Sequence, residues 1–445
     1  MKIVVSGAGA VGTHLAKLLS AENHDIVVID PDREKLNFSK NNLEMITMVG
    51  SSTSLTDLAE IGIKNTDLFI GVTPDESVNI TSCMLASKMG AKKTFARIDN
   101  YEYLLPKHKE FFENLGVDSM VYPEMLAARE IVSAIKRPWL KMWTEMCGGV
   151  LILIGANVVV GAPLDKKFLY DFSSEQKKFH IVAIKRNDIT IIPRGDHQIL
   201  AGDTVFFMTT KDFVNDLPEL IGRRNYDVKN VMIMGGSRIA IRTAQYLSDS
   251  IDIKLIESDR EKCETLLDVL PPNVTIYNVD GRDVGALVDE GIDHMDAFVA
   301  VTGNSEANIL ACMAAKRKGV IKTVAEVENM DYISLAENLD IGTIINKKLI
   351  TVNNIYRFLL NADVSNIKSL MVANADVAEI VAAPNSRITQ KEIKKISFPK
   401  NVTLGGLVRN GEPVIIDGNT VIEPYDRVVV FCLGETLKDA ERLFK

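Results

Sequence analysis

The sequence predicts an α/β chain of two tandem Rossmann domains (doubly wound parallel sheets), each followed by a small α+β lobe. Three observations carry that expectation: a chain that repeats itself, short apolar runs alternating with helical patterns, and a glycine-rich turn between the first run and the first helix. A length of 445 residues exceeds one compact core and fits two to four domains at roughly 100–200 residues each.

The repeat is legible block by block. Residues 1–6 and 229–234 are apolar runs that lead into glycines, and helical patterns follow at 14–20 and 241–248. Segment 25–35 then faces 252–262, each an apolar run closing on an acid: Asp30 in one copy, Glu257 in the other. Val72-Thr73 pairs with Val301-Thr302, and Glu76 and Asn79 face Ser305 and Asn308. Strands are expected near 2–6, 25–29, 44–49, 68–72, 94–98 and 117–121, and again near 229–234, 252–256, 274–279, 297–301, 322–326 and 341–345. Short apolar strands separated by amphipathic helices describe a parallel sheet covered on both faces. A helix is expected after each copy, at 124–136 and 348–360, with Met125, Ile131, Ile135, Ile355, Phe358 and Leu359 as apolar positions suited to packing between lobes. The texture then changes. Residues 140–220 and 368–445 are rich in β patterns and in Gly-Asp or Asp-Gly turns. The expected parts are therefore 1–138, 139–222, 228–361 and 366–445. Segment 146–164 has no charged residue, but its glycines and short Val/Ile runs read as two strands and a turn, since a spanning helix needs ~20 mostly apolar residues.

Gly7-Ala8-Gly9-Ala10-Val11-Gly12 follows a strand and opens a helix, the context that a GxGxxG motif requires. Gly7 permits the tight turn, Gly9 lets backbone amides approach a pyrophosphate, and Gly12 lets helix and strand pack closely. A diphosphate there faces unpaired N–H groups and the positive end of the helix dipole. Asp30 ends the second strand, where a carboxylate accepts hydrogen bonds from ribose hydroxyls and repels a 2′-phosphate, which favours NAD(H) or another adenosine nucleotide, ATP and ADP included. Later strand ends add Ser51, Ser52, Thr73, Pro74, Arg97 and Ile98. Arg97 is placed either to reach a phosphate or to pair with Asp99 or Glu102. The second copy reads Gly235-Gly236-Ser237-Arg238-Ile239-Ala240. Ser237 replaces the glycine that faces the pyrophosphate and crowds it unless its hydroxyl bonds the phosphates, and Arg238 adds a charge expected beside them. Glu257 keeps the ribose acid, with Asp280, Thr302 and Glu326 at the remaining strand ends. An altered nucleotide pocket is expected there.

Chemistry beyond binding is not evident. The six histidines (His14, His24, His108, His180, His197 and His294) are scattered without metal-ligand spacing. There is no GxSxG elbow, HExxH or Walker lysine. Cys83, Cys147, Cys263, Cys312 and Cys432 form no CxxC pair and suit a reduced compartment. A net charge of −8 argues against nucleic acid as a partner. A cofactor module duplicated without a catalytic domain points to a nucleotide that acts as a signal. The competing reading is an NAD-dependent oxidoreductase with an unrecognised substrate site, and a third is a sensor acting on a soluble partner.

On the first glycine loop, Val28-Ile29-Asp30-Pro31-Asp32, residues 72–79, and Ile191-Ile192-Pro193-Arg194-Gly195-Asp196 with Ala201-Gly202-Asp203, the chain resembles the TrkA family, the peripheral nucleotide-binding subunits of bacterial Trk potassium-uptake systems. The resemblance spans essentially the whole chain. It implies tandem regulator-of-potassium-conductance domains and binding of NAD(H) or adenine nucleotides by the Rossmann lobes. It also implies small lobes for ligand binding or dimerisation. A homo-oligomeric gating ring would sit on the cytoplasmic face of a potassium-translocating membrane subunit, with no enzymatic step. Two features depart from the family pattern: Ser51-Ser52 stands where Gly-Asp-Ala is usual, and the second phosphate loop is degenerate.

Overall fold

The computed structural model describes all residues except 21–23, 41–44, 173–177, 188, 225, 248–250, 340, 363–367, 373–374 and 434–436. Of these, all but 225 and 363–365 fall within the four expected parts, so the expectations made for them lie outside the described residues.

The first copy builds β1 (Lys2–Ser6), β2 (Asp25–Asp30), β3 (Ile46–Val49), β4 (Leu68–Gly71), β5 (Lys93–Arg97) and β6 (Ser119–Val121) into a 6-stranded sheet of order β3-β2-β1-β4-β5-β6. Every described pairing within it is parallel. The chain order reverses between β1 and β4, which opens the crevice at the carboxyl ends where such sheets take ligands. β1 and β4 are central because their Ile, Val, Leu and Phe side chains are buried on both faces. Helix Ala10–Ser20 lies on the sheet through Val11, Leu15, Ala16 and Leu19, one stripe at helical spacing. Asp75 caps helix Glu76–Met89 by accepting the Ser77 and Val78 amides, and Gly90 ends it in the left-handed region at φ 115°.

A 5-stranded antiparallel sheet follows: β7 (Met142–Met146), β8 (Leu151–Asn157), β9 (Phe179–Arg186), β10 (Ile189–Ile191) and β11 (Thr204–Thr209), in order β10-β9-β11-β8-β7. Of segment 146–164, β8 is the strand wholly inside. The turn at Cys147–Gly149 joins it to β7, which starts earlier than expected.

The second copy repeats the first sheet with β12 (Asn230–Met234), β13 (Asp252–Glu257), β14 (Val274–Asn278), β15 (Ala297–Ala300), β16 (Lys322–Glu326) and β17 (Thr343–Ile345), ordered β14-β13-β12-β15-β16-β17. The last sheet, β18 (Lys368–Val372), β19 (Ala375–Val381), β20 (Val402–Arg409), β21 (Glu412–Ile415) and β22 (Arg427–Leu433), repeats the small lobe in order β18-β19-β22-β20-β21.

The chain folds as two compact units that each draw on both copies. One joins Met1–Val132 to Asn230–Leu359, the two parallel sheets; the other joins Ser133–Lys229 to Leu360–Lys445, the two antiparallel ones. In the first unit the crossover helices Pro123–Lys136 and Lys347–Ala362 bury Met125, Ile131 and Ile355. Phe358 of the second copy lies against Phe95 of the first, ring centroids 5.0 Å apart. The side chain of Leu359 lies outside the described part. In the second unit the small lobes share one apolar core: Leu151, Leu153, Phe206 and Met208 pack with Val377, Val429 and Phe431.

Candidate nucleotide sites

Each glycine of the first loop does a different job. Gly7 turns the chain at φ +108°, and a Cβ there would stand 3.1 Å from the Thr73 nitrogen. Gly12 packs so tightly that a Cβ would fall 1.9 Å from the Gly7 carbonyl oxygen. At Gly9 a Cβ would meet nothing within 4 Å. That is the open space a pyrophosphate approaching bare backbone needs, so the residues present fit a dinucleotide. Ala8 and Val11 are buried, Ala10 is exposed, and the Thr13 amide donates to the Gly9 carbonyl at 2.9 Å to start the helix.

Asp30 is only 7% exposed. Its Oδ2 accepts the Ala8 amide at 2.7 Å and its Oδ1 the Asp32 amide at 2.8 Å. The carboxylate therefore braces the phosphate loop, with a second lone pair on each oxygen left for ribose hydroxyls. Ser51 donates its amide to Asp57 and bonds Thr53 through its hydroxyl at 2.9 Å, while Ser52 is buried. Thr73 flanks the Gly7 turn, and Pro74 beside it is exposed. Of the alternatives for Arg97, the geometry has it pair with Asp99 at 3.5 Å. Ile98 turns inward to a small core with Tyr122 and Met125, so its side chain does not face the crevice.

Residues outside the expected site hold these strand ends together. Asn79 accepts the Thr73 amide at 2.8 Å through Oδ1 and donates Nδ2 to the Thr73 and Arg97 carbonyls. Asn308 does the same for Thr302 and Glu326. Glu76 accepts the Asp99 and Asn100 amides, and Ser305 those of Glu328 and Asn329. Both pairs were visible as matched positions of the repeat, and that match was the available signal.

The second loop keeps the turn, with Gly235 at φ +100° against Thr302. Gly236 sends its amide to Glu257 Oε2 at 2.8 Å. Glu257 also accepts the Asp259 amide at 3.0 Å and pairs with Lys262 at 2.8 Å. Burial works to raise this carboxyl, but the Lys262 ammonium and the two amides outweigh it and hold it at about 2. Ser237 caps helix Arg238–Tyr246, its Oγ accepting the Ala240 amide at 3.3 Å. Asp280 is clasped by Arg282 at 2.7 Å. Gly235, Ser237, Glu257, Asp280 and Arg282, with Thr302, Asn304, Ser258 and Lys262, line a cleft of about 280 Å³.

Three residues assigned to the second site sit elsewhere. Arg238 crosses to the first copy and pairs with Asp99 at 3.7 Å, because the start of its helix faces that lobe. Arg242, one turn on, stacks over Tyr101 at 4.3 Å. Ile239 is core. Glu326 is 3% exposed and pairs with Lys347 at 3.5 Å outside the cleft lining. Burial pushes its carboxyl up to about 7, against the pull of Lys347 and with the charges of Glu328 and Glu124 adding to the rise.

The comparisons with known proteins follow this duplicated plan. A TrkA-N domain matches residues 3–123 and again 231–347, and a TrkA-C domain matches 153–222 and 377–445. The chain belongs to the TrkA family. A Trk system potassium uptake protein TrkA homolog of Archaeoglobus fulgidus is 32% identical over 447 residues, covering all of both chains. The Trk system potassium uptake protein TrkA of Halomonas elongata is 30% identical, over all of this chain and 99% of its own. Among solved structures, the GsuK RCK domain superposes with a TM-score of 0.62 at 15% identity, covering 100% of this chain and 94% of that one, which places both in one fold. A GsuK channel bound to NAD gives 0.62 at 16%, over 100% and 78%. In this TrkA-family chain both TrkA-N segments end near the start of a crossover helix, so each contains one complete parallel sheet.

Proposed function

We propose that this chain is a regulatory subunit of a Trk-type potassium-uptake system that binds NAD(H) or adenine nucleotides and gates a potassium-translocating membrane subunit. Its parts are nucleotide lobes at 1–138 and 228–361 and small lobes at 139–222 and 366–445. In the first lobe Gly7, Gly9 and Gly12 shape the phosphate turn, Asp30 holds the ribose, and Ser51, Ser52 and Thr73 border the ligand. In the second, Gly235, Gly236, Glu257, Asp280 and Thr302 take the corresponding places. The observation that carries the reading is the open space at Gly9 beside a loop braced by a buried carboxylate, in a chain related end to end to Trk uptake proteins. GsuK channels of the same fold have been solved with NAD and with ADP, and we carry that ligand class over.

Among the described residues no helix is long and apolar enough to cross a membrane. On its kinship with Trk uptake proteins, the chain's action on ion flux is read as docking, from the cytoplasmic side and as a homo-oligomeric ring. The ligand acts as a signal: it shifts the ring between geometries only as far as its affinity differs between them. The test is reconstitution with the membrane subunit and measurement of potassium flux across a titration of NADH, ADP and ATP. Flux that changes with nucleotide, and no longer does so with Gly9→Val, supports the reading. Flux indifferent to every nucleotide, or turnover of NADH with a carbonyl substrate, sinks it.

A further inference from the structure

The two phosphate loops differ most where an anion would sit. At Gly9 the space is open, and glycine has no side chain to cap the helix that begins at Ala10. Ser237 fills the matching position, lines the second cleft, and spends its Oγ on the Ala240 amide. That amide is one of the few unpaired donors a helix N-terminus offers to a phosphate. The cations are engaged as well. Arg238 has left for Asp99, and the two that line the cleft are held by its own acids, Lys262 by Glu257 and Arg282 by Asp280. The nucleoside side is intact, because the Gly235 turn, the ribose acid and Asp280 stand at their strand ends.

We infer that the second cleft recognises the adenosine half of its ligand and gains little from the phosphates, with Ser237 as the residue that sets this difference from the first site. A phosphate entering there must displace a side chain and break a helix cap; at Gly9 it displaces water only. The inference rests on the nucleotide binding proposed above.

Calorimetric titration of the full chain with adenosine, ADP and NADH tests it, with Gly9→Val closing the first site and Ser237→Gly opening the second. In the Gly9→Val chain the three ligands should bind within about threefold of one another, and adding Ser237→Gly should tighten ADP and NADH about tenfold while leaving adenosine unchanged. Glycine is tolerated at helix N-caps, and thermal melts verify that each variant is folded. Should Gly9→Val not fold, Ser237→Gly alone should tighten the weaker of two ADP sites about tenfold and leave the stronger one unchanged. ADP binding the Ser237 cleft tenfold or more above adenosine overturns the inference, as does loss of ADP affinity in Ser237→Ala, which would mean the hydroxyl bonds the phosphates. Failure of any adenine compound to bind the second cleft overturns it too. Failure of the underlying reading looks different: the unaltered chain would then bind neither ADP nor NADH at its first site.

Discussion

At Gly12 a single hydrogen decides the local packing. A Cβ would fall 1.9 Å from the Gly7 carbonyl oxygen, and moving that carbonyl moves the turn that faces the phosphate. Gly12→Ala should lower stability by about 1–3 kcal/mol in chemical denaturation, the usual cost of overpacking a tight site, and weaken NADH binding with it. The second copy carries Ala240 there, fully buried, so its loop accommodates a methyl group at that position. Ala240→Gly should therefore leave nucleotide binding at the second site unchanged. Asp30 acts through two bonds at once. Asp30→Ala strands the buried Ala8 amide, at about 1–3 kcal/mol, so it should lower the melting temperature as well as the affinity; an acid that served ribose alone would lower the affinity only.

At the scale of elements, Asn79, in the first turn of helix Glu76–Met89, ties the end of β4 to the end of β5. Its amide satisfies backbone groups of Thr73 and Arg97 that no strand neighbour reaches. Asn79→Ala leaves those groups unpaired in a buried setting, and faster hydrogen exchange at the Thr73 amide should report it. Asn308→Ala should act alike at Thr302 and Glu326, because the bonds there are the same. Nucleotide affinity at the first site should fall in Asn79→Ala and stay unchanged in Asn308→Ala.

On the scale of the whole molecule, each compact unit is built from both halves of the chain. The small lobes bury Phe431 in a core shared with Leu151, Leu153 and Met208, so Phe431→Ala should cost about 3–5 kcal/mol in denaturant titration and loosen both lobes together. Between the parallel-sheet lobes, Glu326 lies buried among Glu124, Glu328, Lys347 and Lys348. The folded chain holds its carboxyl at about 7 against an ordinary 4.5. Its protonated form therefore favours folding, a contribution complete below the ordinary value and lost as pH rises through about 7. Glu326→Gln should flatten stability measured between about pH 4.5 and 7 and raise it at the upper end. An unchanged pH profile would remove Glu326 from that role.

The elements, their duplication and the first glycine turn are legible in the linear pattern. Strand and helix periodicity, glycine spacing and strand-end acids are local properties, and a repeat doubles each signal. Gly7, Gly9, Gly12 and Asp30 could be read because they fall within one strand-helix-strand unit. What faces what was decided by the tertiary structure alone. Arg238 was expected beside the second phosphates and pairs with Asp99 instead; Ile98 and Ile239 turn to the core; Glu326 is drawn to Lys347. Domain partnership was equally hidden, since the lobes pair across the chain rather than along it. A side chain's partner depends on which surfaces meet when two copies of one module pack together, and a linear pattern carries no record of that meeting.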